Sequence, residues 1–406
     1  MPSRRAASLA SLPPDALHCI ALAVPAALDA LAFVCSWSIV LAAVPDEDLL
    51  EWRDIVALQR NPRARLSLWK KSHHLGDGNN LNNKYALHVL GTTPSCVRLA
   101  KIIGVRVGQA AVIQKLGSFS GNDEGVPTTE LRKVALLRRL QKHDNVLAFI
   151  DVMHFERVDG ARCMHICTEF VEYNLRQYSR LPPEARGSMP PATCIRSLLR
   201  QLLAGLAHCH TRCIMHRNLK PQVLRVTPNG VLKIASFGLA RMFSDVPASR
   251  ADERSYTHEV VTLWYRPPEI LLGARAYTAA IDMWSVGCIL AELARTHWGG
   301  ELAAGQQLAA TGALFPGDSE VDTLFKIFRR LGTPDEAVLP GVSEFAAFSP
   351  EFPQWLPRPL RQAVPSAVVL DDLGLDLLSR MLKYDPIQRI TASGALEHEY
   401  CGVNRA

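Results

Sequence analysis

From Leu17 to Val44 the chain runs almost without charge, LHCIALAVPAALDALAFVCSWSIVLAAV. Its apolar residues recur at helical spacings, first Leu17, Ile20 and Val24, then Leu28, Leu31 and Cys35. That is the periodicity of amphipathic helices packed on one another. Pro25 and Pro45 fall where such helices would break. The run is long enough to span a bilayer, and Arg4 and Arg5 precede it as in a signal sequence. Asp29, near its middle, argues against a span, because a carboxylate at bilayer depth costs about 2.5–3.5 kcal/mol. Pro25 and His18 argue the same way. A third reading makes the run a helical extension of the domain that follows. Arg60 to Lys71, with Trp69, is basic, and Gly76 to Asn83 reads GDGNNLNN; neither has periodicity, and together they read as a linker. Beyond Lys84 the pattern changes. Ala110 to Leu116, AAVIQKL, predicts a buried strand, and Ala192 to His210 predicts a strongly apolar helix. Trp298 to Thr311, rich in Gly, Ala and Gln, reads as a surface loop.

The chemistry concentrates in Ile214 to Arg241, IMHRNLKPQVLRVTPNGVLKIASFGLAR. This stretch resembles the catalytic loop and metal-binding loop of protein kinases, H-R-D-L-K-P-x-N followed by D-F-G. The framework letters are present as His216, Arg217, Leu219, Lys220, Pro221, Phe237, Gly238 and Leu239. The chemical letters differ. Asn218 stands at the catalytic base, Val223 at the second metal ligand and Ser236 at the main magnesium ligand. Phosphoryl transfer needs a carboxylate at the acceptor hydroxyl and oxygen ligands that hold Mg²⁺ against the phosphates. An amide has no useful basicity, valine has no ligand atom, and serine is neutral where a full charge is wanted. A lost general base alone lowers the rate by roughly 10²–10⁴.

The same resemblance, specifically to cyclin-dependent kinases, extends from Lys84 to about Tyr400. Gly91 and Val97 match the glycine-rich loop, but Thr93 and Cys96 replace its other glycines and Pro94 lies between them. Gln114 takes the place of the phosphate-binding lysine, and Lys133 that of its glutamate partner in a helix matching Glu124 to Leu140. Thr168, Glu169 and Val171 match the gatekeeper and hinge of the nucleotide pocket. The activation segment ends in YTHEVVTLWYRPPEILLG, with Thr257 at the activating phosphorylation position. The resemblance implies that Arg132, Arg217 and Arg241 bind that phosphate. It gives Asp282 the role of holding the catalytic loop, and it pairs Glu269 with Arg389. Ala313 to Glu336 matches a docking region for small regulatory subunits, and Thr128 to Val134, with Leu131, a cyclin-contacting helix.

Near the N-terminus, Leu12, Pro13, Leu17 and Ile20, then Val34-Cys35-Ser36-Trp37, then Leu50 and Trp52-Arg53 resemble an F-box. That resemblance implies that Leu12, Pro13, Leu17, Ile20, Trp37 and Trp52 dock on the Skp-type adaptor of a cullin–RING ubiquitin ligase.

Composition changes the picture little. The 406 residues are 48% hydrophobic and carry a net charge of +6, which permits acidic partners without calling for nucleic acid. The ten cysteines have no paired spacing and read as free thiols of a reducing compartment, cytoplasmic or nuclear. His208, Cys209, His210 and Cys213 come nearest to a zinc pattern. The expected organisation is therefore α+β. A small all-α F-box-like segment (8–57) and a linker (58–83) precede a bilobal kinase-like domain (84–401), with a β-rich N-lobe and an α-helical C-lobe. The expected function is that of an inactive pseudokinase scaffold, without a cofactor. Its expected partners are the Skp-type adaptor, a cyclin and an upstream kinase acting at Thr257, with no nucleic acid and no membrane. The alternative is an active serine/threonine kinase using ATP and Mg²⁺.

Overall fold

The computed structural model describes residues 86–92, 97–103, 110–119, 126–156, 162–186, 190–243, 262–274, 276–295, 312–364 and 369–402. The F-box-like positions, Thr257 and the whole 298–311 insertion lie outside the described residues. The chain divides into two compact units. One runs through Val126 and takes in Asp151–Cys167; the other holds Pro127–Ile150 and everything from Thr168 onward.

The first unit is strand-rich. β1 (Ala86–Thr92), β2 (Val97–Ile103) and β3 (Ala110–Phe119) pair antiparallel in that order, and β5 (Arg162–Glu169) and β4 (Phe149–Glu156) complete a five-stranded sheet. The β1–β2 register shifts between Val89 and Gly91, so Gly91 stands at a local irregularity opposite Leu99. On β3, Ile113 and Leu116 are both buried. Three residues apart, they face opposite sides of the pleat, which is why this strand reads as a continuous apolar run.

The second unit is helical. α1 (Thr128–Arg139) buries Lys133, Val134, Leu136 and Leu137. After β6 (Tyr173–Asn174) and the short α2 (Leu175–Ser179) comes α3 (Pro191–His210), the predicted apolar helix, opened by a proline whose missing N–H is no loss there. Ile195, Leu198, Leu202, Leu206 and Cys209 form its buried stripe. Gly205 belongs to that stripe because a Cβ there would sit 2.6 Å from the Asn145 carbonyl oxygen. The helix ends at His210, as its pattern predicts, and Cys213 lies beyond it at φ +56°. β7 (Ile214–Met215), β8 (Leu224–Val226), β9 (Leu232–Ile234) and β10 (Arg241–Met242) are short. They form a β6-β8-β9 sheet and a β7–β10 pair.

α4 (Pro268–Leu271) leads to α5 (Ala280–Arg295), which is buried continuously from Ile281 to Ala294. A helix buried on every side is a central post. α6 (Glu320–Leu331) has the charge order its dipole favours, with Glu320 and Asp322 at the start and Arg329 and Arg330 at the end. The Ser319 hydroxyl caps it by accepting from the Asp322 amide at 3.1 Å. α7 (Asp372–Met381) and α8 (Ala392–Glu397) close the unit, with Tyr400 and Cys401 buried behind them.

The expected Glu269–Arg389 pair is present and buried. Two guanidinium nitrogens of Arg389 donate to the two carboxylate oxygens of Glu269 at 2.9 and 3.0 Å. Its other N–H groups reach the carbonyls of Lys383, Ala280 and Tyr384, and its guanidinium lies over the Trp284 ring. Removing either partner strands a buried charge. Arg389→Met is therefore expected to lower unfolding free energy by about 3–5 kcal/mol in urea melts. A loss under about 1 kcal/mol, the value of an exposed pair, would contradict this reading.

Candidate functional site: a kinase catalytic loop without its carboxylates

The loop from Ile214 to Arg241 hangs from one buried carboxylate. Asp282, on α5, accepts from the backbone amides of His216 and Arg217, both at 2.8 Å. His210, at the end of α3, donates from Nε2 to the same carboxylate at 3.0 Å. Burial works to raise the Asp282 pKa, but the His210 hydrogen bond and charge, with the His216 backbone N–H, outweigh it and hold the group below the usual 3.8.

His216 is fully buried and both ring nitrogens are engaged. Nε2 donates to the Ala235 carbonyl at 2.8 Å, while Nδ1 accepts from the Asn218 amide at 3.2 Å. One donor and one acceptor define the neutral ring. Burial lowers its pKa accordingly. The ring meets Phe237 edge-on, with centroids 5.0 Å apart. Arg217 has a left-handed backbone, φ +65°. Its Nε donates to the Leu239 carbonyl at 2.7 Å and its Nη1 to the Tyr277 hydroxyl at 2.8 Å. The loop's architecture is complete.

Its chemical positions are a different matter. Ser236 is exposed at φ +65°, ψ +50°. A non-glycine residue pays for this conformation with about 1–3 kcal/mol unless its surroundings impose it. Val223 is buried, and its carbonyl accepts from the Ala235 amide at 3.2 Å. Asn218 is half-buried. Its Oδ1 accepts from the Thr262 hydroxyl at 3.4 Å, and that hydroxyl accepts from Lys220 Nζ at 2.7 Å. Among the described residues Lys220 has no acidic partner, and burial lowers its pKa. A methyl-bearing side chain, a hydroxyl and an amide do not suit a divalent cation that wants charged oxygens. Among the described residues there is likewise no group of three or more His, Cys, Asp or Glu side chains that could hold a metal ion.

The other expected positions are placed as follows. Lys133 is buried in α1 and pairs with Glu130, one turn earlier, at 2.5 Å. Gln114 is half-buried on β3, in register with Val97 of β2. Thr168 and Val171 are buried. Glu169 accepts from the Ala148 amide at 2.6 Å and pairs with Lys233 at 3.0 Å. The structure brings Arg132, Arg217 and Arg241 together. Burial and then the charges of Arg241 and Arg217 lower the Arg132 pKa. The Nε of Arg241 is buried without a hydrogen-bond partner. The near-zinc residues go separate ways. Cys209 is buried in α3, His208 donates to the Leu140 carbonyl at 3.3 Å, and His210 serves Asp282.

A model of the protein kinase domain matches residues 109–401, well over half the chain. The chain belongs to the protein kinase family. Within this kinase domain, Asp282, His216 and Arg217 form one hydrogen-bonded framework around the loop that carries Asn218, Val223 and Ser236. Sequence reasoning did not single out Thr262 or Tyr277 for a role. Thr262 lies inside the quoted TLWYRPPE stretch and so was in view. Tyr277 carried no signal.

The neutral His216 and the ionised Asp282 act on stability with the same sign. Each has a folded pKa below its unfolded value, so the stabilisation is present at neutral pH and is lost on acidification. The His216 part begins to go as pH falls below about 6.5 and the Asp282 part below about 4. His143 and His208, also lowered chiefly by burial, add to the first step. Melting temperature is expected to fall steadily between pH 7 and pH 5. A rise over that range would contradict the neutral assignment.

Proposed function

We propose that this protein is a catalytically inactive, cyclin-dependent-kinase-like binding module, attached to a ubiquitin-ligase core through an N-terminal F-box. The observation that carries the first half is the contrast at the loop. The Asp282 clamp is intact, yet Asn218, Val223 and Ser236 offer neither a base nor a charged metal ligand. Gln114 and Lys133 support it too, since they stand where the family has its phosphate-binding lysine and that lysine's glutamate partner. Removing preorganised charge stabilisation removes the largest contribution to this reaction. The second half rests on Leu12, Pro13, Leu17, Ile20, Trp37 and Trp52 and on the helical spacing around them. The partners are then a Skp-type adaptor at one end and, at Leu131, 45% exposed on α1, a cyclin. The setting is the cytoplasm or nucleus.

The kinase fold retains a switch in this reading. Phosphate on Thr257 carries a charge of about −1.5 to −2 and favours forked guanidinium contacts. The grouped Arg132, Arg217 and Arg241 support it, Arg241 with an unpaired buried N–H. Installing phosphate at Thr257 is expected to protect the activation segment from limited proteolysis, and unchanged cleavage would count against the switch.

ATP without and with Mg²⁺ in a thermal-shift titration tests the loss of activity. The expected outcome is no added stabilisation from the metal. Saturating a real metal–nucleotide site at a hundred times its Kd would add about 2.7 kcal/mol. A metal-dependent shift of that size, with radiolabel transfer that Lys220→Met abolishes, would establish the alternative of an active serine/threonine kinase. The Lys220–Thr262 contact is the feature that favours that alternative. Adaptor co-purification that disappears in a Leu12→Ala/Pro13→Ala chain tests the F-box; capture that survives would refute it.

A further inference from the structure

Lys220, Thr262 and Asn218 form a chain of polar contacts on the loop. Lys220 Nζ donates to Thr262 Oγ1 at 2.7 Å, and Thr262 Oγ1 donates to Asn218 Oδ1 at 3.4 Å. The direction of those bonds matters. With its Oδ1 turned to Thr262, the Asn218 amide leaves its two N–H donors unused among the described residues. Among the described residues the Lys220 ammonium has one neutral partner, the Thr262 hydroxyl, and no carboxylate. All three side chains are half-buried, neither sealed nor freely hydrated.

In an active kinase the position of Asn218 holds a carboxylate beside the acceptor hydroxyl. That carboxylate accepts the proton from the hydroxyl. It also repels the product, because a phosphorylated hydroxyl carries about −1.5 to −2 charge. The present chain has reversed the balance. A full negative charge has become a neutral group with two hydrogens, and the lysine beside it is unneutralised. Among the described residues the site has donors and a cation and no anion, the complement of a phosphate dianion. It is also a poor match for a serine hydroxyl awaiting deprotonation.

We propose that Lys220, Thr262 and Asn218 bind the phosphorylated side chain of a phosphoserine- or phosphothreonine-containing peptide, so that the protein reads phosphorylation where its relatives write it. The proposal rests on the inactive reading of the loop and gives the scaffold a class of client. Lys220 supplies the charge, the Asn218 amide supplies N–H donors, and Thr262 positions both. Burial already disfavours the Lys220 ammonium, and an anion beside it relieves that strain.

The test uses the full chain and two degenerate peptide pools of equal length, one with central phosphoserine and one with central serine. Binding is read by fluorescence anisotropy at fixed ionic strength. The phosphorylated pool is expected to bind at least about tenfold more tightly. Asn218→Asp restores the family's carboxylate in nearly the same volume. It is expected to weaken phosphopeptide binding by about tenfold or more, since a unit charge is placed beside the dianion. Lys220→Met is expected to do the same, with the thermal melt of each variant reporting that it folds. Arg241→Met, in the arginine cluster of the switch, tells the two phosphate sites apart: the loss of affinity in Lys220→Met is expected to exceed that in Arg241→Met. Equal binding of the two pools, an unchanged affinity in Asn218→Asp, or loss in Arg241→Met with retention in Lys220→Met would each overturn the proposal. A chain that fails here and still shows no metal-dependent ATP stabilisation is inactive without being a reader. A chain that shows that stabilisation has lost the inactive reading itself.

Discussion

Asp282 holds two consecutive backbone amides, those of His216 and Arg217, from the middle of the buried helix α5. Everything at the loop follows from this grip. It fixes the left-handed turn at Arg217, which sends that side chain to Leu239 and Tyr277. It sets the His216 ring between Ala235 and Asn218, and through Ala235 it positions the strained Ser236. A carboxylate buried among hydrogen-bond donors is costly to disturb, because each donor would lose its partner in a place that water does not reach.

That constraint separates two jobs that an active kinase does with one loop. Holding the backbone needs Asp282, His216, Arg217 and the Glu269–Arg389 pair, and all are engaged here. Moving a phosphoryl group needs carboxylates at the positions of Asn218 and Ser236 and an oxygen ligand at Val223, and none is there. The left-handed backbone at Ser236 makes the point most sharply. The conformation occurs at a serine, a residue type with no special liking for it and no carboxylate to present.

Much of this was legible in the sequence, for a physical reason. Asp282, Glu269 and Arg389 could be placed because their neighbours form long, strongly patterned elements that fix their spacing. The buried stripe of α3 was legible as periodicity. Other contacts had no local signature. Lys220 meets Thr262 from 42 residues away, and Arg217 meets Tyr277 from 60. Only the folded chain decides such pairings. The same holds for the direction of the Asn218 amide, which depends on the Thr262 hydroxyl.

The central claim is that a kinase framework stands intact while its metal-binding and proton-accepting groups are absent. Water-proton relaxation with Mn²⁺–ATP tests it most directly, on the natural chain and on a chain carrying Asn218→Asp, Val223→Asn and Ser236→Asp. The expected result is no relaxation enhancement over Mn²⁺–ATP alone for the natural chain, and an enhancement for the triple variant, whose framework is ready to receive the ligands. A comparable enhancement from the natural chain would contradict the claim.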